Sequence, residues 1–129
     1  MTVVDTQAVL WLNDDVARLS REAERVLVEG RLKGTLAISG MTLREIAMLV
    51  HRGRVTLQTP LDAYLIFLET LFTVLPITAR IAAHSVRFSS EYPKDPADRL
   101  IGATANVHGA VLVTSDEHIR ASGEVKCVW

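Results

Sequence analysis

Asp5, Glu45, Asp98 and Asp116 each fall where a short apolar run ends or a helical pattern begins. In an open α/β sheet the carboxyl ends of the strands and the amino ends of the following helices line one crevice, so residues distant in sequence become neighbours there. The spacing therefore predicts that these four carboxylates share a pocket. Two carboxylates about 5 Å apart repel by roughly 3 kcal/mol at an effective dielectric of about 20, so the cluster needs a counter-charge, and a divalent cation is the simplest one. Magnesium takes oxygen ligands, usually one or two carboxylates with waters and a substrate phosphate, which suits acids drawn from several elements. Where two such ions bind about 3.5–4 Å apart, one activates water and the other steadies the leaving oxygen of a phosphodiester.

Other chemistries find less support. His51, His84, His108 and His118 lack zinc-ligand spacing, and only His118, two residues after Asp116, is placed to matter. With Cys127 alone, a disulfide framework or a cysteine-based zinc site is ruled out, and Cys127 is expected in the core. Ser39, Ser115 and Cys127 lie in no nucleophile elbow. The glycines near Gly34 and Gly102 match neither a P-loop nor a dinucleotide fingerprint, so no nucleotide cofactor is expected. Each acid also has a local explanation: Asp5 and Asp116 as helix caps, Glu45 in a capping box with Thr42, Asp98 in one with Asp95. Capping explains them singly and leaves their common placement unexplained.

The elements that position them follow from apolar periodicity. Val3-Val4 reads as a short buried strand, followed by a helix over Ala8–Leu12. Ser20 caps a helix that Gly30 is expected to end. Leu36-Ala37-Ile38 is the second strand, and Leu43, Ile46, Ala47 and Val50 form the apolar stripe of a helix from Thr42, closed by Gly53. Pro60 opens a helix over Leu61–Phe72 that is apolar around nearly its whole circumference, which predicts burial on two sides, one a subunit interface. Val74-Leu75-Pro76-Ile77 is an edge strand because of its proline, Thr78 caps a helix to about Arg87, and 88–94 is loop. Asp95-Pro96 starts a helix to about His108. Ala110–Val113 is a strand, Ser115–Arg120 a short helix, and Val125–Val128 the last strand. Strands alternating with helices give a parallel sheet with right-handed crossovers.

At 129 residues, 49% hydrophobic and 22% charged, the chain is expected to fold as a single domain over 1–129. Ala63–Leu75 is interrupted by Glu69, Thr70 and Thr73, so no membrane span is expected. The start of the chain has neither the basic residues nor the apolar core of a signal peptide, so cytoplasmic residence is expected. A formal net charge of -1 argues against nucleic-acid binding by overall basicity. A local patch remains: Arg44, Arg52 and Arg54, with Lys94 and Arg99 flanking Asp98. Eleven of the fourteen basic residues are arginine, which favours forked phosphate contacts.

Taken together, Val3-Val4-Asp5-Thr6, Ile38-Ser39 with Leu43-Arg44-Glu45-Ile46-Ala47 and His51-Arg52-Gly53-Arg54, Leu75-Pro76-Ile77-Thr78, Asp95-Pro96-Ala97-Asp98-Arg99-Leu100-Ile101, and Leu112-Val113-Thr114-Ser115-Asp116 resemble the PIN-domain ribonucleases, specifically the VapC-type toxins of toxin–antitoxin pairs. The resemblance covers nearly the whole chain. It implies a PIN-like three-layer α/β/α domain with a central parallel sheet of four to five strands. It also implies that Asp5, Glu45, Asp98 and Asp116 hold one or two Mg2+ or Mn2+ ions for hydrolysis of RNA phosphodiester bonds. Thr6 and Thr114 match hydroxyl positions that orient the carboxylates, and Asp95 matches a flanking acid and helix cap. Gln7 stands where relatives often carry histidine. Homodimers, and a small antitoxin whose carboxyl-terminal segment blocks the pocket, are likewise implied. A haloacid-dehalogenase-like phosphatase would need an aspartate where Gln7 stands, and a receiver domain would need an acidic pair at the first strand end. The alternative is a non-catalytic PIN-fold module that binds RNA or a partner protein.

Overall fold

β-branched and aliphatic residues dominate the strands because both sheet faces are covered, as is usual for parallel sheets. The computed structural model describes residues 1–129. Strands β1 (Thr2–Val4), β2 (Leu36–Ser39), β3 (Thr73–Leu75), β4 (Val111–Val113) and β5 (Cys127–Val128) form one parallel sheet in the order β3-β2-β1-β4-β5. β1 is the central strand, with Val3 opposite both Ala37 and Leu112.

Successive residues of each strand feed opposite layers. Val3, Ala37, Leu75 and Leu112 pack with Ile81, Ile101 and Ile119, whereas Val4, Leu36, Ile38 and Val113 pack with Val9, Leu27, Ile46 and Leu68. The first layer therefore holds α5 (Ala79–Ser85), α6 (Pro96–Val107) and α7 (Glu117–Ser122). The second holds α1 (Thr6–Asp14), α2 (Arg21–Lys33), α3 (Gly40–His51) and α4 (Leu61–Leu71), with a 3-10 turn at Val16–Arg18. The chain winds from β1 outward to β3 and then returns to the other side of β1, so a crevice opens between β1 and β4 at their carboxyl ends, where the strand order reverses.

Side-chain caps start the helices as anticipated at Ser20, Thr78 and Asp95, which accept from the backbone N–H groups of Ala23, Ile81 and Ala97. Among the boundaries that differ from expectation, two bear on packing and on the site. Helix α2 runs past Gly30 to Lys33 and ends at Gly34, which takes the left-handed conformation (φ 67°). Gly30 is small for a packing reason, since a Cβ there would lie 2.4 Å from Leu36 Cδ2. Helix α3 starts at Gly40 with Ser39 as its cap, so the capping box between Thr42 and Glu45 does not form and the Glu45 side chain is available for other partners.

Helix α4 buries Leu68 and half-buries Tyr64, Leu65 and Leu71, while Ile66 is 62% and Phe67 46% exposed. Burial on two sides is thus not met within one chain. β3 lies at a sheet edge, in keeping with the proline that follows it.

The segment 88–94 is loop, as expected, but two of its residues anchor it in the core. Phe88 and Tyr92 are buried and stacked, ring centroids 4.0 Å apart, and Tyr92 donates its hydroxyl proton to the Asp98 carbonyl at 2.9 Å. Arg99 donates to the carbonyls of Pro93 (2.9 Å), Phe88 and Ser89 (3.1 Å), Tyr92 (3.3 Å) and Ser85 (3.4 Å). The N–H donors of Arg99, expected as a nucleic-acid contact, are thus taken up in fixing the segment that carries α6.

Candidate active site

Asp5 follows β1 and caps α1. Its Oδ1 accepts the Thr6 N–H at 2.8 Å, and its Oδ2 accepts the Thr114 hydroxyl, also at 2.8 Å, from the far side of the β1–β4 crevice. Thr114 Oγ1 in turn accepts the backbone N–H of Asp116 at 3.1 Å. One buried hydroxyl thus ties the chain after β1 to the chain after β4.

Asp116 caps α7, with Oδ1 accepting from the N–H groups of His118 at 2.8 Å and Ile119 at 3.0 Å. Glu45 lies on α3 and is held from α1: the Thr6 hydroxyl donates to its Oε1 at 2.5 Å, with Thr42 Oγ1 lying 3.2 Å from Thr6 Oγ1. Asp98 sits in the first turn of α6. Asp95 caps that helix as expected, but the Asp98 carboxylate takes no return bond from the Asp95 N–H, so the capping box stays open, as it does for Glu45.

Asp5, Glu45, Asp98 and Asp116 line one open depression of about 320 Å³ with Thr6, Gln7, Leu49 and Ser115. Ser115 had no separate signal in the sequence beyond its place between two site residues. Leu49 packs against the core layer beside Ile46 and also reaches the pocket wall, which only the orientation of the helix discloses.

The electrostatics of the pocket are those of crowded acids. Burial pushes Asp98 up to about 7, with Asp5, Asp95, Glu45 and Asp116 adding to the rise. Burial also raises Asp5 and Glu45 above the ordinary carboxylate range, Thr114 and Thr6 respectively opposing the rise with their hydroxyls. No arginine or lysine contributes to these shifts, and the ion pairs of the chain, Arg18–Asp15, Arg25–Glu22, Arg25–Glu29 and Lys33–Glu29, all lie elsewhere.

A hard cation fits this donor set: the oxygens are anionic, several are oriented by hydroxyls, and the chain supplies no positive charge of its own. No three of the His, Cys, Asp or Glu side chains stand close enough together to hold an ion by themselves, so waters or substrate must complete any set. That arrangement suits magnesium, which keeps several waters and is held by one or two carboxylates with substrate phosphate completing the set.

The cationic residues divide. Arg44 and Arg52 line a second depression that shares Glu45 and Leu49 with the acidic one. Arg54 and Lys94 are exposed and line neither. Cys127 is half-buried against the core layer of α5 and α6.

A β3-β2-β1-β4-β5 parallel sheet between two helical layers, with acids from β1, α3, α6 and β4 meeting at one edge, is the architecture of a PIN domain. The PIN domain family model matches residues 2–124, and the chain belongs to that family. Within it, the chain is 34% identical over 119 residues to Ribonuclease VapC22 of Mycobacterium tuberculosis, covering 92% of this chain and 89% of that protein. Among solved structures, it is similar to VapBC2 from Rickettsia felis, bound there to a promoter DNA fragment (TM-score 0.74, 16% identity, 99% and 98% of the two chains). It is also similar to FitAcB from Neisseria gonorrhoeae (TM-score 0.70, 19% identity, 100% and 97%) and to a toxin–antitoxin complex from Klebsiella pneumoniae (TM-score 0.68, 20% identity, 100% and 97%). The expected α/β/α architecture is observed, with five strands.

Proposed function

We propose that this chain is a divalent-metal-dependent endoribonuclease and the toxin of a type II toxin–antitoxin pair. The observation that carries the reading is the meeting of Asp5, Glu45, Asp98 and Asp116 in one pocket with no cation from the chain itself. The 34% identity to Ribonuclease VapC22 supports RNA as substrate.

Asp5, Asp98, Asp116 and Glu45 would hold one or two Mg2+ or Mn2+ ions. When bound, such ions lower the pKa of water and neutralise charge on a phosphodiester undergoing displacement. The chain's own residues supply the positioning. Thr114 and the Thr6 N–H fix both oxygens of Asp5, and the Thr6 hydroxyl fixes Glu45, so two ligands from different elements keep their geometry before substrate arrives. Arg44 and Arg52, beside the pocket, would pair with RNA phosphates, predicting affinity that falls steeply with salt. Arg54 and Lys94 add exposed charge at a greater remove.

An antitoxin is the expected protein partner, as toxin–antitoxin complexes are among the structures this fold matches. Ile66 and Phe67 on the exposed side of α4 are the proposed homodimer contact. A single species of monomer mass in light scattering at micromolar concentration would remove that part of the proposal. No helix is long and apolar enough to cross a membrane, and the proposed compartment is the cytoplasm.

The test is incubation of the purified chain with total cellular RNA in manganese, in EDTA, and as Asp98→Asn, with new ends mapped by sequencing. Discrete cuts confined to wild type with metal are expected. Their absence from folded, metal-loaded and antitoxin-free protein favours the non-catalytic binding module.

A further inference from the structure

On α3, Met41, Arg44, Met48 and Arg52 recur at intervals of three and four residues and so share one side of the helix. With Asp95 and Pro96 at the start of α6 they line a depression of about 360 Å³, which meets the acidic pocket along Glu45 and Leu49. Met48 is half-buried but packs into neither core layer. Arg44 and Arg52 form no ion pair, although Glu45 and Asp95 border the same space. The slot therefore presents a polarisable thioether and a proline ring beside two arginines that form no ion pair.

That combination suits a strand carrying alternate flat apolar groups and negative charges. Bases freed from pairing stack on apolar and aromatic side chains, while arginine forks take the flanking phosphates. We propose that the slot receives one unpaired nucleobase next to the scissile phosphate, against Met48 and Pro96, with Arg44 and Arg52 on the neighbouring phosphates. This rests on the acidic pocket being the cutting site.

The test uses Asp98→Asn protein, so that no strand is cut, in magnesium at fixed salt. Fluorescence anisotropy compares twelve-nucleotide uridine and adenosine oligoribonucleotides with an abasic ribose-phosphate chain of the same length and charge. One stacked base predicts binding roughly tenfold tighter for a base-bearing chain, the effect usual for one stacking contact. Met48→Ala in that background is expected to remove most of the preference and Met48→Leu to keep it. Arg44→Ala and Arg52→Ala are expected to weaken all chains alike. Equal affinity for base-bearing and abasic chains, or a Met48→Ala loss shared by both, overturns the proposal. Parallel cleavage assays on wild type separate the two readings: cutting without base preference overturns the slot alone, whereas base preference without cutting supports the slot and overturns the nuclease.

Discussion

The hydroxyl of Thr6 donates to Glu45 Oε1 at 2.5 Å, joining the first residue of α1 to the middle of α3 across 39 positions of sequence. Since the Glu45 carboxylate has burial and two neighbouring acids against it, this bond is a main force holding it ionised in place. Thr6→Val is expected to lower activity about 10- to 100-fold, the usual effect of losing a group that orients a metal ligand. Thr6→Ser should restore most of it. Cleavage kinetics of the two variants at saturating metal check this, and equal activity for valine and wild type would remove Thr6 from the machinery.

Thr114 serves two partners, the Asp5 carboxylate and the Asp116 N–H. Thr114→Val leaves the part-buried Asp116 amide without its acceptor and Asp5 Oδ2 without its donor, so it is expected to cost about 1–3 kcal/mol in stability as well as activity. Urea unfolding measures the first and cleavage the second. A variant that loses neither contradicts the bridging role.

The metal-free protein should become less stable as pH rises. An aspartate in the unfolded chain titrates near 4, whereas Asp98 in the fold is pushed up to about 7 by burial and its acidic neighbours. Between those values the folded state binds the extra proton. The contribution is therefore present in full at acid pH and is lost as pH rises through about 7. Asp5 and Glu45 shift in the same direction. In EDTA, Tm should fall between pH 5.5 and 8.5, on the order of the range over which such linkage acts. Asp98→Asn should abolish cleavage, flatten this slope and stabilise at pH 8.5 by no more than about 1 kcal/mol, because solvent screens a half-exposed group. Magnesium at the same pH should raise the wild-type Tm more than that of the variant. A flat Tm in EDTA would show that neither burial nor the neighbouring acids raise these carboxylates in the fold.

Arg99 and Gly102 guard the seat of Asp98. Arg99→Ala releases five carbonyl contacts and is expected to cost about 2–3 kcal/mol; Arg99→Lys should rescue little, since a point charge cannot reproduce the fork. At Gly102 a Cβ would lie 2.1 Å from the Tyr92 hydroxyl oxygen and 2.9 Å from Cζ of its rigid ring. Gly102→Ala should therefore cost about 1–3 kcal/mol or more. Chemical denaturation checks both, and a neutral alanine at either position would show that the 88–94 segment repacks freely.

The sequence by itself determined whatever depends on residues within a few positions of one another. The apolar runs at Val3-Val4, Leu36–Ile38 and Val111–Val113 are strands, and Ser20, Thr78, Asp95 and Asp116 are caps, because periodicity and capping act over one or two turns. The placement of Asp5, Asp98 and Asp116 at element ends was legible for the same reason, whereas Glu45, read near a helix start, lies in the middle of α3. Only the tertiary structure decided which local options were taken. Glu45 closes no capping box because Ser39, not Thr42, caps α3, and Asp98 closes none because its carboxylate takes no bond from the Asp95 N–H. Gly30 continues its helix instead of ending it, because α2 must cross Leu36 closely. Arg99 turns to carbonyls fixed by the path of 88–94, and Thr6 reaches Glu45 only because α1 and α3 lie on the same side of the sheet. These partners are set by strand order and by packing across the sheet, which no window of neighbouring residues contains.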